Sequence, residues 1–485
     1  MDTNIKAFIT MNEKKNNLTI LLSLISICLF SFNLFSQETT SWYGELNVSS
    51  TTLPITLKIE EKADTTIILM GSPSQTNQMF SVTKQRFTKD SILFSMKSLN
   101  VVFKGKYNST KDTIFASFKQ GLLQENLIMV KTKELFETKR PQEPQPPYPY
   151  IEQELSFKVE GVNYDFKGTL TLPSIQGTYP CVILVTGSGL QNRDEELMNH
   201  KPFKVIADYL TRNNIAVFRY DDRGWNGDIT DSTINNATTL DYAVDAQAAF
   251  DMIKTHPNIN PKQIGMLGHS EGGVITSIAA SKNPNISFVI LLASTGQKGI
   301  DVLLQQNEVI LKNIKMPKHA VKMQLSALKQ MYKYIEKDYT SDEIEKRMNL
   351  WFEKELSKLN AEQRKESPFS TAMERTKFIN QLSSNWMRTF LKLNPSDYLT
   401  KVKQPTFALN GTNDVQVLQE YNLPQIEKAL KKAKNKNYKT FKAIGHNHLF
   451  QQSTTGMIDE YSKIEQTISP IILEQIKEFI KSTTK

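Results

Sequence analysis

The run Ile264-Gly265-Met266-Leu267-Gly268-His269-Ser270-Glu271-Gly272-Gly273 is apolar up to a serine set between two glycines. Followed by the helical pattern Val274 to Ser281, it reads as a buried strand, a tight turn and a helix, with Ser270 at the apex. Gly268 and Gly272 suit such a turn, because neighbouring backbone comes too close there for a side chain. A serine hydroxyl is a weak nucleophile, so the turn must present it to a base, and backbone N–H groups must face the oxyanion formed when it attacks a carbonyl. The base in turn needs an acid to hold its tautomer.

Two later stretches supply candidates. Asp414 follows the strand-like run Thr406-Phe407-Ala408-Leu409-Asn410 in the loop Gly411-Thr412-Asn413-Asp414, where the acid would sit; its other use would be to cap the next helix. His446 and His448, in Gly445-His446-Asn447-His448-Leu449-Phe450, follow the run Tyr438 to Lys442, and either could be the base. For the oxyanion, one donor is the N–H of Glu271, directly after the nucleophile. The other lies in Gly187-Ser188-Gly189-Leu190, where Ser188 is chosen over Gly189 and Leu190 by its place after the glycine.

The other chemistry-bearing residues take structural roles. His269 is expected to pack under the turn, and His200, His256 and His319 to lie at the surface or in a helical insertion. Six dispersed histidines with no His-x-x-x-His pair and no cysteine cluster argue against a metal site, and no cofactor is implied. Asp222 and Arg223, at a strand end, are expected to fix their loop by a charge-assisted pair.

Positioning these residues requires alternating strands and helices. Ser156 to Glu160 and Phe166 to Leu172 read as an entry hairpin. Cys181 to Val185, Ile215 to Phe218, the Ser270 strand, Phe288 to Ala293, Thr406 to Asn410 and Tyr438 to Lys442 then read as strands, with helices at Pro202 to Asn213, Leu240 to Thr255 and Ile471 to Lys481. That alternation predicts a parallel sheet covered on both faces, with chemistry at the carboxyl ends of its strands. Between 297 and 403 it gives way to helical patterns (Ile300 to Ile314, His319 to Lys337, Ser341 to Lys358, Thr371 to Leu393), an insertion placed to cap the site. Met323, Leu325, Leu328, Met331, Tyr332, Trp351 and Phe352 each read as core, and as a group they are expected to roof a substrate pocket.

Upstream, residues 41–132 carry seven short β-rich runs, the pattern of a small antiparallel sandwich or barrel, with no histidine or cysteine. A proline-rich linker, 133–150, separates them from the catalytic region, 151–485. Lys14 and Lys15 precede a charge-free apolar run from Leu18 to Phe35, the layout of a secretory signal over 1–36, so export to the periplasm or beyond is expected, with no membrane span kept after cleavage. Cleavage there leaves Cys181 as the one cysteine, on an apolar strand, which suits a buried thiol. The net charge of +9 is spread along helical segments without a nucleic-acid motif, so no nucleic-acid partner is expected.

From about Arg140 onward the chain resembles the secreted or periplasmic bacterial serine esterases of the α/β-hydrolase superfamily that carry an N-terminal β domain. The matching pieces are Arg140-Pro141-Gln142-Glu143-Pro144, Gly187-Ser188-Gly189 with Gln191-Asn192-Arg193-Asp194-Glu195, Tyr220-Asp221-Asp222-Arg223-Gly224, Gly268-His269-Ser270-Glu271-Gly272-Gly273, Leu409-Asn410-Gly411 with Asp414, and Asn447-His448-Leu449-Phe450. Leu190 departs from the proline common at that place. The resemblance implies an α/β-hydrolase fold with a helical cap after a small all-β domain. It also implies a triad in which the base falls on His448 and the acid on Asp414, beside Ser270.

The expected activity is hydrolysis of a small-molecule carboxylic ester with a short to medium acyl chain, through an acyl-enzyme on Ser270. The rivals are a peptidase, aminopeptidase or thioesterase on the same fold, and an inactive envelope-binding protein. An aminopeptidase would need an acidic anchor in the cap, for which Glu345, Glu353 and Glu355 are the candidates.

Overall fold

The computed structural model describes residues 38–48, 51–61, 65–74, 76–96, 100–120, 123–133, 139–225 and 232–485. The expected export segment, 1–36, lies outside the described residues.

The first part is a single antiparallel sheet of nine strands: β1 (Glu38–Val48), β2 (Thr51–Glu61), β3 (Thr66–Ser72), β4 (Thr76–Ser81), β5 (Lys84–Phe87), β6 (Ser91–Met96), β7 (Val101–Tyr107), β8 (Thr113–Gln120) and β9 (Leu123–Thr132). Their order is β4-β3-β2-β1-β9-β8-β7-β6-β5, so the two edge strands are consecutive in the chain. Val82 and Thr83 between them donate to Ile68 O of β3 (3.2 Å) and Ser95 O of β6 (2.8 Å), so one short link joins the two edges and the sheet curls into a half-barrel. Alternate side chains, among them Trp42, Leu57, Phe94, Phe103, Phe118 and Leu127, fill the concave face. This is a curled sheet rather than a two-sheet sandwich. The sequence reading passed over β4 and β5 because Thr76–Ser81 and Lys84–Phe87 are polar and show little alternation.

The segment that follows is docked, not free. Arg140 donates to Met198 O (2.9 Å), Ser462 O (3.0 Å) and Ile464 O (3.0 Å). Glu143 pairs with Lys201 at 2.7 Å, and Gln142 bonds Ile468 O at 2.7 Å. These contacts seat the proline-rich stretch on the catalytic region.

That region is built on an eight-stranded sheet: β10 (Ile151–Phe157), β11 (Phe166–Leu172), β12 (Tyr179–Val185), β13 (Ala216–Tyr220), β14 (Ile259–His269), β15 (Val289–Leu292), β16 (Thr406–Gly411) and β17 (Tyr438–Ala443). The order is β10-β11-β13-β12-β14-β15-β16-β17, antiparallel through the entry hairpin and parallel from β13 onward. Strands β13, β15 and β16 are buried at every residue, as a sheet covered on both faces requires. Helices Pro202–Thr211 and Pro470–Thr483 pack on one face through Phe203, Ile206, Leu210, Ile472 and Ile476. Helices Thr239–Ile253, Glu271–Lys282 and Gln419–Lys432 pack on the other through Phe250, Ile275, Ile278, Leu423 and Ile426. This is the α/β-hydrolase fold.

The expected insertion between β15 and β16 is helical and has its own core, in which Met331, Ile335, Ile344, Met348, Phe352 and Phe369 are buried. The long helix expected over 371–393 is two helices. Ser384 ends Ala372–Ser383 and caps Asn385–Lys392, its hydroxyl accepting the Met387 N–H at 3.2 Å.

Candidate active site

Strand β14 ends at His269 and helix Glu271–Lys282 starts with one residue between, so Ser270 alone makes the turn, at φ +54° and ψ −120°. Such a backbone costs a non-glycine residue about 1–3 kcal/mol, and the surroundings must enforce it. They do so through the Ser270 N–H, which bonds Leu292 O of β15 at 2.8 Å, and through the flanking glycines. A Cβ at Gly268 would stand 2.0 Å from Gly272 O, and one at Gly272 would stand 2.2 Å from Val185 O.

The loops after β16 and β17 bring in the acid and the imidazole. Asp414 is buried, and its Oδ1 accepts the N–H groups of Gln416 (2.8 Å) and Val417 (2.9 Å). Its Oδ2 lies 2.8 Å from His448 Nδ1. Of the two candidate histidines, His448 meets Asp414 and lines the cavity above Ser270, whereas His446 is turned to Ile444 O at 2.8 Å. Ser270 and His448 open onto the same cavity of about 240 Å³, and no hydrogen bond joins their side chains among the described residues. Hydroxyl–imidazole contacts of this kind commonly tighten only around bound substrate.

Ser188 and Glu271 border the same cavity. As the first residue of its helix, Glu271 has an N–H without an intrahelical acceptor. The loop carrying Ser188 is clamped at both ends by Asp222, which accepts Thr186 Oγ1 (2.6 Å) and the Gln191 N–H (2.8 Å). Burial pushes the Asp222 carboxyl well above the usual carboxylate range, against the pull of those two donors. Glu195 reaches the loop from the other side, its Oε1 accepting the Gly187 N–H at 2.7 Å.

The Glu271 side chain faces the cap. Its Oε1 accepts Thr239 Oγ1 (2.5 Å) and Trp386 Nε1 (2.8 Å), which ties helix Asn385–Lys392 to the elbow. Burial raises its pKa, and the Thr239, Ser188 and Trp386 donors offset part of that rise.

Three expectations are corrected. Asp222 and Arg223 do not pair with each other: Arg223 takes Asp245 of helix Thr239–Ile253 at 2.8 and 2.5 Å, which leaves Asp222 to the loop. His200 is fully buried rather than at the surface, its ring held by Thr467 Oγ1 (3.0 Å) and Tyr461 O (2.9 Å). The cavity roof comes from Val302, Leu303, Gln306, Trp386, Met387 and Phe390, while Met323, Leu328, Met331 and Phe352 stay inside the cap core. His269 packs under the turn as expected, bonded to Glu195 Oε1 (2.9 Å) and His448 O (3.0 Å). Sequence reasoning missed Glu195 and the Trp386–Glu271 tie. The charged run Arg193-Asp194-Glu195 beside the loop that carries Ser188 was the available signal for the first; its other members bind Asp221 and Arg219.

Several known proteins are similar to this chain in sequence or in fold. Esterase EstD of Thermotoga maritima is 29% identical over 143 residues, 29% of this chain and 34% of EstD, so the chain spans about a third of that relative's length. Among solved structures, Est1E from Butyrivibrio proteoclasticus is 16% identical, covering 68% of this chain and 98% of its own, with a TM-score of 0.38. The Pyrococcus furiosus esterase Pf2001 is 15% identical, covering 73% and 100%, with a TM-score of 0.42. The pattern of the family described as serine aminopeptidase, S33, matches residues 200–453, just over half of the chain and a span that holds the elbow, Asp414 and His448. The chain therefore belongs to the serine aminopeptidase S33 family of hydrolases.

Proposed function

We propose that this protein is an exported serine carboxylesterase acting on esters with short to medium acyl chains. Ser270 Oγ attacks the acyl carbonyl while His448 Nε2 takes its proton, and Asp414 holds the imidazole with Nδ1–H toward its carboxylate. The N–H groups of Glu271 and Ser188 bind the oxyanion. Collapse of the tetrahedral species expels the alcohol with the proton from His448; water then attacks the acyl-enzyme, giving its proton to His448, and collapse of the second tetrahedral species releases the acid as His448 returns that proton to Ser270 Oγ.

The observation that carries this proposal is the meeting of a strained, enforced Ser270 and an Asp414-bound His448 on one cavity roofed by uncharged side chains. About 240 Å³ is below the usual size of pockets for drug-sized ligands, which suits a short acyl group. Family members that act as aminopeptidases must anchor a substrate ammonium. The carboxylates that border this cavity, Glu195 and Glu271, already accept protein donors, and Glu345, Glu353 and Glu355 are not among its lining residues. Export is proposed from the layout of residues 1–36, and the N-terminal sequence of the mature protein tests it.

The function is tested with p-nitrophenyl esters from acetate to palmitate, beside aminoacyl p-nitroanilides and an acyl thioester. The expected result is turnover that favours short to medium esters and vanishes in Ser270→Ala. Faster turnover of the anilides than of any ester would replace the esterase assignment with a peptidase one.

A further inference from the structure

Beneath the nucleophile lies a buried acid–imidazole pair that the mechanism above does not use. His269 presents both ring nitrogens to oxygen acceptors: Nδ1 lies 2.9 Å from Glu195 Oε1, and Nε2 lies 3.0 Å from the carbonyl oxygen of His448. A neutral imidazole has one N–H and would leave the other nitrogen facing an acceptor with no proton between them. Only the imidazolium donates to both. The same Glu195 oxygen accepts the Gly187 N–H at 2.7 Å. One carboxylate oxygen and one ring thus connect the start of the oxyanion loop to the backbone of the residue that carries the base.

We propose that Glu195 and His269 form a charged positioning pair that sets the oxyanion loop and the His448 backbone in register with Ser270. The pair rests on the roles given above to Ser270 and His448, and it acts through Gly187 and His448 rather than on substrate. Burial opposes a charge on His269, but the Glu195 carboxylate, the His448 carbonyl and the more distant Asp414 outweigh it and raise the ring's pKa above its ordinary value. The charged or titratable groups facing the ring are therefore Glu195, Asp414 and the His448 ring, whose centroid is 4.7 Å away; Phe203, Leu292, Leu449 and Phe450 line the adjoining apolar pocket. Because His448 becomes a cation during turnover, an uncompensated charge on His269 would oppose it. Glu195 makes the pair neutral and removes that conflict.

The expected signature is a loss at alkaline pH. Both donors are in place below the raised pKa of the ring and are lost as pH rises through it. Glu195→Gln keeps an oxygen for the Gly187 N–H while removing the charge that holds the His269 proton. The rate at which a fluorophosphonate labels Ser270 is measured against pH for both proteins, and ¹⁵N spectra of histidine-labelled wild type read the His269 ring directly. We expect both ring nitrogens protonated at neutral pH in the wild type. Labelling should be about ten- to a hundredfold slower in Glu195→Gln, the scale of a small misplacement, with the alkaline fall moved to lower pH. A neutral His269 ring in the wild type at neutral pH, or an unchanged rate and pH profile in the variant, would overturn the proposal. If Glu195→Gln does not fold, the wild-type spectrum decides. Neither readout needs an ester, so a protein that cleaves none refutes the substrate assignment and leaves this test in force.

Discussion

Replacing Asp414 by asparagine exchanges one carboxylate oxygen for an NH₂ group and should remove nearly all turnover. Oδ1 of Asp414 already accepts two backbone N–H groups, from Gln416 at 2.8 Å and Val417 at 2.9 Å, and only an oxygen can fill that position. The asparagine must therefore keep its oxygen there and turn its NH₂ toward His448 Nδ1, which the carboxylate now meets at 2.8 Å. An NH₂ donor in that place forces the imidazole to accept on Nδ1 and carry its proton on Nε2. With Nε2 protonated, the ring cannot take the Ser270 proton. Wrong-tautomer substitutions of this kind cost about ten-thousand-fold in turnover, roughly 5 kcal/mol of transition-state stabilisation. The fold should barely notice, because shape and both backbone contacts are kept. The assay is kcat/KM on p-nitrophenyl butyrate for wild type and Asp414→Asn, with thermal melts as the control. A variant that melts with the wild type yet keeps more than about a tenth of its activity would refute the tautomer argument.

Other perturbations separate the supports of the site. Gly272→Ala puts a methyl group 2.2 Å from Val185 O and 2.5 Å from Thr186 O, both backbone atoms that cannot swing aside, so a loss of about 1–3 kcal/mol in urea unfolding should accompany lost activity; a wild-type melt would contradict it. Trp386→Phe removes a donor from the buried Glu271 carboxylate at a cost of about 1–3 kcal/mol, and should appear as a raised KM and faster proteolysis of the cap. Unchanged KM and proteolysis would mean that the cap is held elsewhere. His200 has its pKa lowered from 6.5 to about 4, by burial first and by the Arg140 charge second. The unfolded chain therefore takes up this proton before the folded one, so the stability it contributes is complete above 6.5 and is lost as pH falls toward 4. Urea titrations at neutral and mildly acid pH should show a smaller acid loss in His200→Gln than in the wild type, and equal losses would assign the acid sensitivity to other groups.

Legibility in the sequence tracked the distance over which each feature is decided. The Ser270 turn was readable because strand, glycines and helix lie within one short run, and the Asp414 and His448 loops because each follows a strand-like run of its own. What could not be read was the choice among several chemically equivalent partners. Arg223 has Asp222 beside it in the chain and takes Asp245 instead, because helix Thr239–Ile253 presents that carboxylate in the buried layer. Glu195 meets His269 across 74 residues, a contact created by the parallel pairing of β12 with β14 in one sheet. The cap roof was misread for a related reason: an apolar helical residue can serve the cap's own core or the cavity, and Met331 and Phe352 serve the core while Trp386 and Phe390 serve the cavity. In the first sheet, the link between the two edges depends on backbone bonds from Val82 and Thr83, which side-chain alternation does not encode.

The central claim is that Ser270 forms the covalent intermediate. The most direct measurement is to label the protein with a fluorophosphonate, digest it and locate the adduct by mass spectrometry, with Asp414→Asn and Ser270→Ala treated in parallel. The account predicts one adduct per chain on the peptide holding Ser270, much slower labelling in Asp414→Asn and none in Ser270→Ala. An adduct on another residue, or ester turnover that continues in the fully labelled protein, would contradict it.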